Sequence, residues 1–260
     1  MEATNRTRLR RMSVFFLIFV LPLFASACAN EMAANLHLKS GMAYIEARQY
    51  AAAIKELLAA EKENPGDPAI KYYLGMSYHL KNLPDEAVKY LTRAVELKPD
   101  YSEAYNYLGL VYDGIGRYDD AIRSFQKAVS NILYETPSYA LNNMAWSYFK
   151  KGDYESALAR FKEAVGQENN LFSRAMLEKN IGMVYFTKGD MSQASAHLSR
   201  SLDMAPEFTE AHYWLGKVYA ATKKRGAAIR EFQEVVKAAP ESEFGIRAKE
   251  ELEKLPGHRR

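Results

Sequence analysis

One short pattern returns six times along the 260 residues and confines the chain to a narrow set of folds. Aligned on one small residue, its copies are SGMAY (40–44), LGMSY (74–78), LGLVY (108–112), MAWSY (144–148), IGMVY (181–185) and LGKVY (215–219). The steps between the aligned residues Gly41, Gly75, Gly109, Ala145, Gly182 and Gly216 are 34, 34, 36, 37 and 34. Twelve residues further on stands Ala53, Ala87, Ala121, Ala157, Ala194 or Ala228, and sixteen further on Leu57, Leu91, Phe125, Phe161, Leu198 or Phe232. Self-similarity at such a period marks an array of supersecondary units that bury their apolar faces against one another.

The pattern reads as two helices per copy. A small residue on the first helix lets the second approach closely, and the alanine of the second is expected to meet it at the crossing. Leucine or phenylalanine then fills the space above and below, so Gly75→Leu is expected to wedge the helices apart. The turn segments NLPDEA (82–87), GRYDDA (116–121), KGDYESA (151–157) and KGDMSQA (188–194) place Asp or Gly at the break. Acidic residues in the next first turn complement its dipole. Phe244, Ala248, Leu252 and Leu255 fall on one helical face of residues 242–255, which suits a terminal cap.

These residues resemble the tetratricopeptide repeat. The resemblance implies an all-α fold: a right-handed superhelical solenoid of about six helix pairs plus a C-terminal capping helix, over residues 34–255, with 256–260 as a frayed tail. The Trp often found early in that motif is replaced by His37, Lys71, Tyr105, Leu141, Glu178 and His212. Two steps exceed 34, and the excess lies at SNILYETPSY (130–139) and GQENNLFSRA (166–175), flanking the fourth copy. Either these are tolerated loop insertions or they make the carboxy-terminal half a distinct surface.

Ahead of the array, Arg6, Arg8, Arg10 and Arg11 precede an apolar run from Val14 to Phe24 that ends in Ala25, Ser26 and Ala27. That is the order of an export signal, and the run is short against the roughly 20 residues of a spanning helix. Residues 1–27 are therefore expected to be a removable leader. The stretch Ala25-Ser26-Ala27-Cys28 resembles the lipobox of bacterial lipoproteins, with Ala25 where that family usually has Leu. By this resemblance Cys28, the single cysteine, becomes the acylated first mature residue, with 28–33 as a tether. Ala29 behind it points to the outer membrane. The alternative is an ordinary leader with an incidental thiol.

The leader holds four of the 35 Lys and Arg and one of the 32 Asp and Glu, leaving 31 against 31. The balance gives no support to a nucleic-acid footprint. With no further cysteine, disulfides and thiolate zinc sites are excluded from the remainder. The five histidines show no HExxH-like spacing, and Gly114-Ile115-Gly116 lacks the strand and third glycine of a dinucleotide site. Acidic pairs such as Asp119-Asp120 read as helix-start residues. No enzyme, metal or cofactor is expected.

Binding in such a solenoid uses the side lined by the first helix of each pair. Counting from the aligned small residue, the candidates early in the chain are Leu38, Met42, Ile45, Tyr72, Met76 and His79, an apolar set. Further on come Asn106, Asn142, Trp146, Lys179, Met183, Tyr213 and Lys217, which are more polar. Flexible methionines among them suit capture of an apolar segment, although packing between repeats would also explain these side chains. Six repeats behind a lipidation signal, with Leu133 and Tyr134 leading into a helix that bears Asn142 and Asn143, resemble the type IV pilus pilotin lipoproteins. That resemblance implies an outer-membrane, periplasm-facing adaptor for secretin assembly. The alternatives are a scaffold for polysaccharide export or outer-membrane protein insertion, or a repeat domain serving a peptidoglycan or protease enzyme.

Overall fold

The computed structural model describes residues 29–255, which are all-α, with no strand among them. Residues 1–27, expected as a leader, Cys28 and residues 256–260 lie outside the described residues. Helix α1 covers 29–46, so residues 29–33, expected as a tether, are already helical. It is followed by α2 (Tyr50–Glu63), α3 (Pro68–Leu80), α4 (Pro84–Leu97), α5 (Ser102–Gly114), α6 (Tyr118–Val129) and α7 (Pro137–Lys150). Then come α8 (Tyr154–Gln167), α9 (Leu171–Lys188), α10 (Met191–Met204), α11 (Thr209–Ala221), α12 (Arg225–Ala238) and α13 (Glu243–Lys254). Odd-numbered helices up to α11 are the first members of the six pairs, and even-numbered helices the second. The chain divides within α5 into two compact units, unit one ending at Val111 and unit two beginning at Tyr112. No described helix is long and apolar enough to cross a membrane.

The pairs of Gly41, Gly75, Gly182 and Gly216 close on their small residue, but through a different neighbour than the spacing suggested. A Cβ on Gly75 would stand 2.5 Å from Leu91 Cγ, one on Gly182 2.7 Å from Leu198 Cγ, and one on Gly216 2.6 Å from Phe232 Cε1. The residue sixteen positions on is therefore what presses against the glycine. The alanine twelve positions on contributes its backbone: the carbonyl oxygens of Ala87 and Ala194 would lie 3.1 and 3.3 Å from the added carbons at Gly75 and Gly182. Its missing bulk lets that backbone approach, which is why it stays alanine.

The turn inside every pair uses one backbone device. Seven residues after the aligned small residue, φ is positive at Arg48, Asn82, Gly116, Gly152, Gly189 and Lys223, between 57° and 84°. This left-handed residue reverses the chain so that the next helix folds back antiparallel. Caps finish several helix starts: Asp67, Asp153, Asn170, Asp190 and Ser242 each accept a backbone N–H of the first turn through the side chain.

The two long steps are accommodated differently, both within unit two. The first is a connection over 130–136 in which Tyr134 turns inward while Ile132 and Leu133 remain 95% and 83% exposed. The second lengthens a helix, because α9 runs for 18 residues from its Asn170 cap. At the carboxy end, α13 lays Gly245, Ala248 and Leu252 inward, with Phe244 and Leu255 packed against the cluster of Tyr213, Phe232 and Val235. It thus covers the last pair as a further first helix would.

Candidate partner-binding face

In unit one the first helices present an apolar, largely uncharged face. Met42 and Met76, one residue past the aligned glycine, and Ile45 and His79, four past it, are all half-buried. Leu38 and Ile45 rest on the core formed by Ile54, Leu57, Ile70 and Leu74. Tyr72 is edge-on to Tyr73 at 5.1 Å and to Tyr107 at 5.9 Å, and tilted against Tyr101 at 5.4 Å. His79 Nδ1 lies 3.1 Å from the Tyr107 hydroxyl. Burial lowers the His79 imidazole below its ordinary range, raises the Tyr72 and Tyr101 phenols, and pushes Tyr107 up to about 12. Near neutral pH these groups are uncharged, so the face combines methionine and aromatic surface with a few polar tips. Tyr101 and Tyr107 belong to this cluster and were missed in the sequence. Tyr107 shares its register, two before the aligned glycine, with Tyr73, and that was the available signal.

In unit two the candidates separate. Asn142, Trp146 and Met183 are half-buried. Asn142 accepts a 3.0 Å hydrogen bond from Asn180 Nδ2, and the Trp146 ring stands edge-on to Phe149 and Phe161, each at 5.4 Å. Lys217 is half-buried and pairs with Glu251 on α13 at 3.1 Å. Lys179 and Tyr213 do not line an open surface, being only 7% and 3% exposed. Lys179 Nζ meets Glu210 Oε2 at 2.9 Å and overlies the Phe208 ring, while Tyr213 packs on Phe232 and Phe244. The physical reason is register: three residues before the aligned glycine, a side chain points at the following first helix, α11 for Lys179 and α13 for Tyr213. Asn106 occupies this register too and is half-buried.

Four of the six positions where the repeat family often carries Trp hold ion and hydrogen-bond pairs instead. His37 meets Glu56 at 2.7 Å, Glu178 meets His197 at 2.6 Å, and His212 meets Glu231 at 2.7 Å, with the partners 19 residues apart in all three. Lys71 pairs with Glu61 across neighbouring pairs. The three His–Glu contacts clip the first helix to the second where an indole would fill the gap. His212 also lies 2.8 Å from the Pro206 carbonyl through Nε2. Both ring nitrogens face acceptors, which favours the doubly protonated imidazolium, and the Glu231 carboxylate raises its pKa above the ordinary 6.5.

A histidine raised on folding stabilises fully below its unfolded pKa and loses that contribution as pH rises through its folded one. The difference in melting temperature between wild type and His212→Ala is therefore expected to be largest at acidic pH and to shrink on moving to alkaline pH. Thermal melts of both proteins across that range check it.

A tetratricopeptide repeat model matches residues 38–102, 81–140 and 180–243, and a second model of that repeat matches 139–165. The BBSome complex member BBS4 of Bos taurus is 29% identical over 191 residues, covering 73% of this chain and 35% of that protein. The chain spans about a quarter to a third of the length of the first curated relatives it matches. Among solved structures, PilW, described as a widely conserved type IV pilus biogenesis factor, superposes with a TM-score of 0.72 at 19% identity. The match covers 83% of this chain and 98% of that one. PilF of Pseudomonas aeruginosa superposes at 0.70 with 13% identity, over 86% and 99%. At these identities the likeness concerns the fold. With a repeat match over more than half its length and paired helices closing on their aligned small residues, this chain belongs to the tetratricopeptide-repeat family, a protein–protein interaction scaffold.

Proposed function

We propose that the protein is a lipid-anchored adaptor on the periplasmic face of a bacterial outer membrane, and that unit one receives an apolar segment of a type IV pilus secretin. The observation that carries this reading is the face of α1 and α3, where Met42, Met76, Ile45 and the Tyr72 cluster offer half-buried apolar surface, with the Lys98 ammonium over the Tyr101 ring as a cation beside it. Methionine lets such a surface adapt to a segment of varied shape, and a peptide gains from taking its apolar side chains out of water there. Support for the destination comes from the arginines, the apolar run and Cys28 at the amino terminus. Support for the process comes from the near-complete coverage of PilW and PilF by this fold. One acyl chain binds a membrane only marginally, so stable anchoring at Cys28 requires more than one.

Two variants test the two halves separately. Cys28→Ala is expected to move the protein from the membrane fraction to the soluble fraction. Met76→Glu is expected to leave circular dichroism unchanged while reducing heat-resistant secretin multimers on immunoblots at least about tenfold, as loss of a central apolar contact does at other interfaces. Undiminished multimers in Met76→Glu cells would contradict the secretin assignment and leave the repeat scaffold to another envelope assembly.

A further inference from the structure

The insertions that flank the fourth repeat build a second apolar surface, within unit two. Leu133 is 83% exposed, Tyr139 54%, and Leu171 and Phe172 57% each. Leu133 is in the connection before α7, and Tyr139, Leu171 and Phe172 are in the first turns of α7 and α9; such large exposed apolar side chains are uncommon on a protein without a partner. Phe172 is held in place by the Phe208 ring at 5.3 Å. Between Tyr139 and the start of α9 lies a cleft, lined also by Ser138, Met176 and Glu168. Glu168 Oε2 accepts from the Ser138 hydroxyl at 2.8 Å, and Oε1 accepts from the Asn170 backbone N–H at 2.9 Å. Those bonds fix the carboxylate and, led by the Asn170 N–H, hold it below the usual range, so it is ionised near neutral pH. An ionised carboxylate has about four acceptor sites; with the Asn169 backbone N–H also directed at it, about one remains for a ligand.

We infer that this surface is a docking site for a protein segment in which a lysine or arginine is flanked by bulky apolar residues. The cation would reach Glu168 in the cleft with its aliphatic stem along Tyr139 and Met176, and its neighbours would cover Leu133, Leu171 and Phe172. Charge complementarity selects this occupant. Over 130–139 and 166–176 the acids are Glu135 and Glu168, and Glu207 adjoins Phe208, whose ring is overlain by Lys179 paired with Glu210. The one cation in those stretches, Arg174, has its Nε enclosed without a hydrogen-bond partner. A lipid surface of acidic headgroups would meet like charge here, whereas a basic side chain with an apolar body is suited to a rim of this kind.

The test is a random-peptide phage library panned on the full chain, followed by affinity measurement of the selected synthetic peptides. Selected peptides are expected to pair Lys or Arg with Leu, Ile or Phe. Their affinity is expected to fall about tenfold or more in Glu168→Gln and in the Leu133→Ser/Phe172→Ser double variant, and to be unchanged in Met76→Glu. Circular dichroism confirms that the variants are folded; because Leu133 and Phe172 are exposed, the double variant serves as the independent check. Peptides that lack a cation, or that bind the variants as well as wild type, overturn the proposal. So does binding lost in Met76→Glu alone, which would return the site to the unit-one face. Sedimentation showing self-association abolished by the double variant would assign the surface to a second copy, and co-sedimentation with phosphatidylethanolamine–phosphatidylglycerol vesicles would assign it to lipid. Either overturns it.

Discussion

Gly75→Leu is expected to unfold unit one under conditions where the wild type is fully native, with a loss of about 3 kcal/mol or more. Even the first carbon of the new side chain would lie 2.5 Å from Leu91 Cγ and 3.1 Å from the Ala87 carbonyl, and the second contact is with backbone that has no rotamer to give. The remaining atoms must push α3 and α4 apart. The sign is best isolated with alanine. In a helix interior Gly→Ala normally stabilises by about 1 kcal/mol, but at Gly75 the clash costs about 1–3 kcal/mol, so the net change is a loss. Gly166, in α8, has nothing within 4 Å of an added Cβ, and Gly166→Ala is expected to stabilise by up to about 1 kcal/mol. Urea titrations followed by circular dichroism should move the two midpoints in opposite directions.

Glu178→Ala is the second large effect, expected to cost about 3 kcal/mol. Glu178 and His197 have side chains only 7% and 6% exposed and meet at 2.6 Å, with Arg200 at 3.6 Å from the other carboxylate oxygen. Removing the carboxylate leaves a buried imidazole nitrogen with no partner where water cannot replace it, and an unmade buried bond costs more than a made one contributes. His197→Ala should cost less, because Arg200 still faces Glu178. In a double-mutant cycle the pair is expected to show coupling of about 1–3 kcal/mol. Additive losses would mean that the two residues act independently and that the polar clip does not replace the family's indole.

The fold was legible because its rules are one-dimensional. A small residue, an alanine and a Leu or Phe at fixed offsets identify a helix pair wherever they recur, and Phe244, Ala248 and Leu252 give the closing helix by their spacing. What the offsets hid was which atoms touch. Alanine looked like the crossing residue, yet Leu91, Leu198 and Phe232 press on the glycines while alanine brings only its backbone near. The left-handed turn position was unreadable because three of its six occupants are Arg48, Asn82 and Lys223, residues that give no glycine signal. The His–Glu clips were unreadable for a related reason: the acid is on the second helix in two of them and on the first in the other, so no single residue type repeats.

Within the candidate face, Met42 and Met76 share the register one past the glycine, which the sequence shows, and both are half-buried. Lys179 and Tyr213 could not, since their burial depends on α11 and α13 covering them, a tertiary fact that depends on the next repeat. The exposed Leu133, Leu171 and Phe172 were visible only as extra length. Whether an insertion loops out or extends a helix is decided by its cap, and Asn170 supplies one for α9.

Replacing Met76 with a photo-crosslinking amino acid, with Lys89 on the second-helix side of unit one as the control, tests the recognition account most directly. After irradiation of living cells, position 76 is expected to yield one discrete adduct containing the secretin, and position 89 none. No adduct at 76, or equal adducts at both positions, would contradict it.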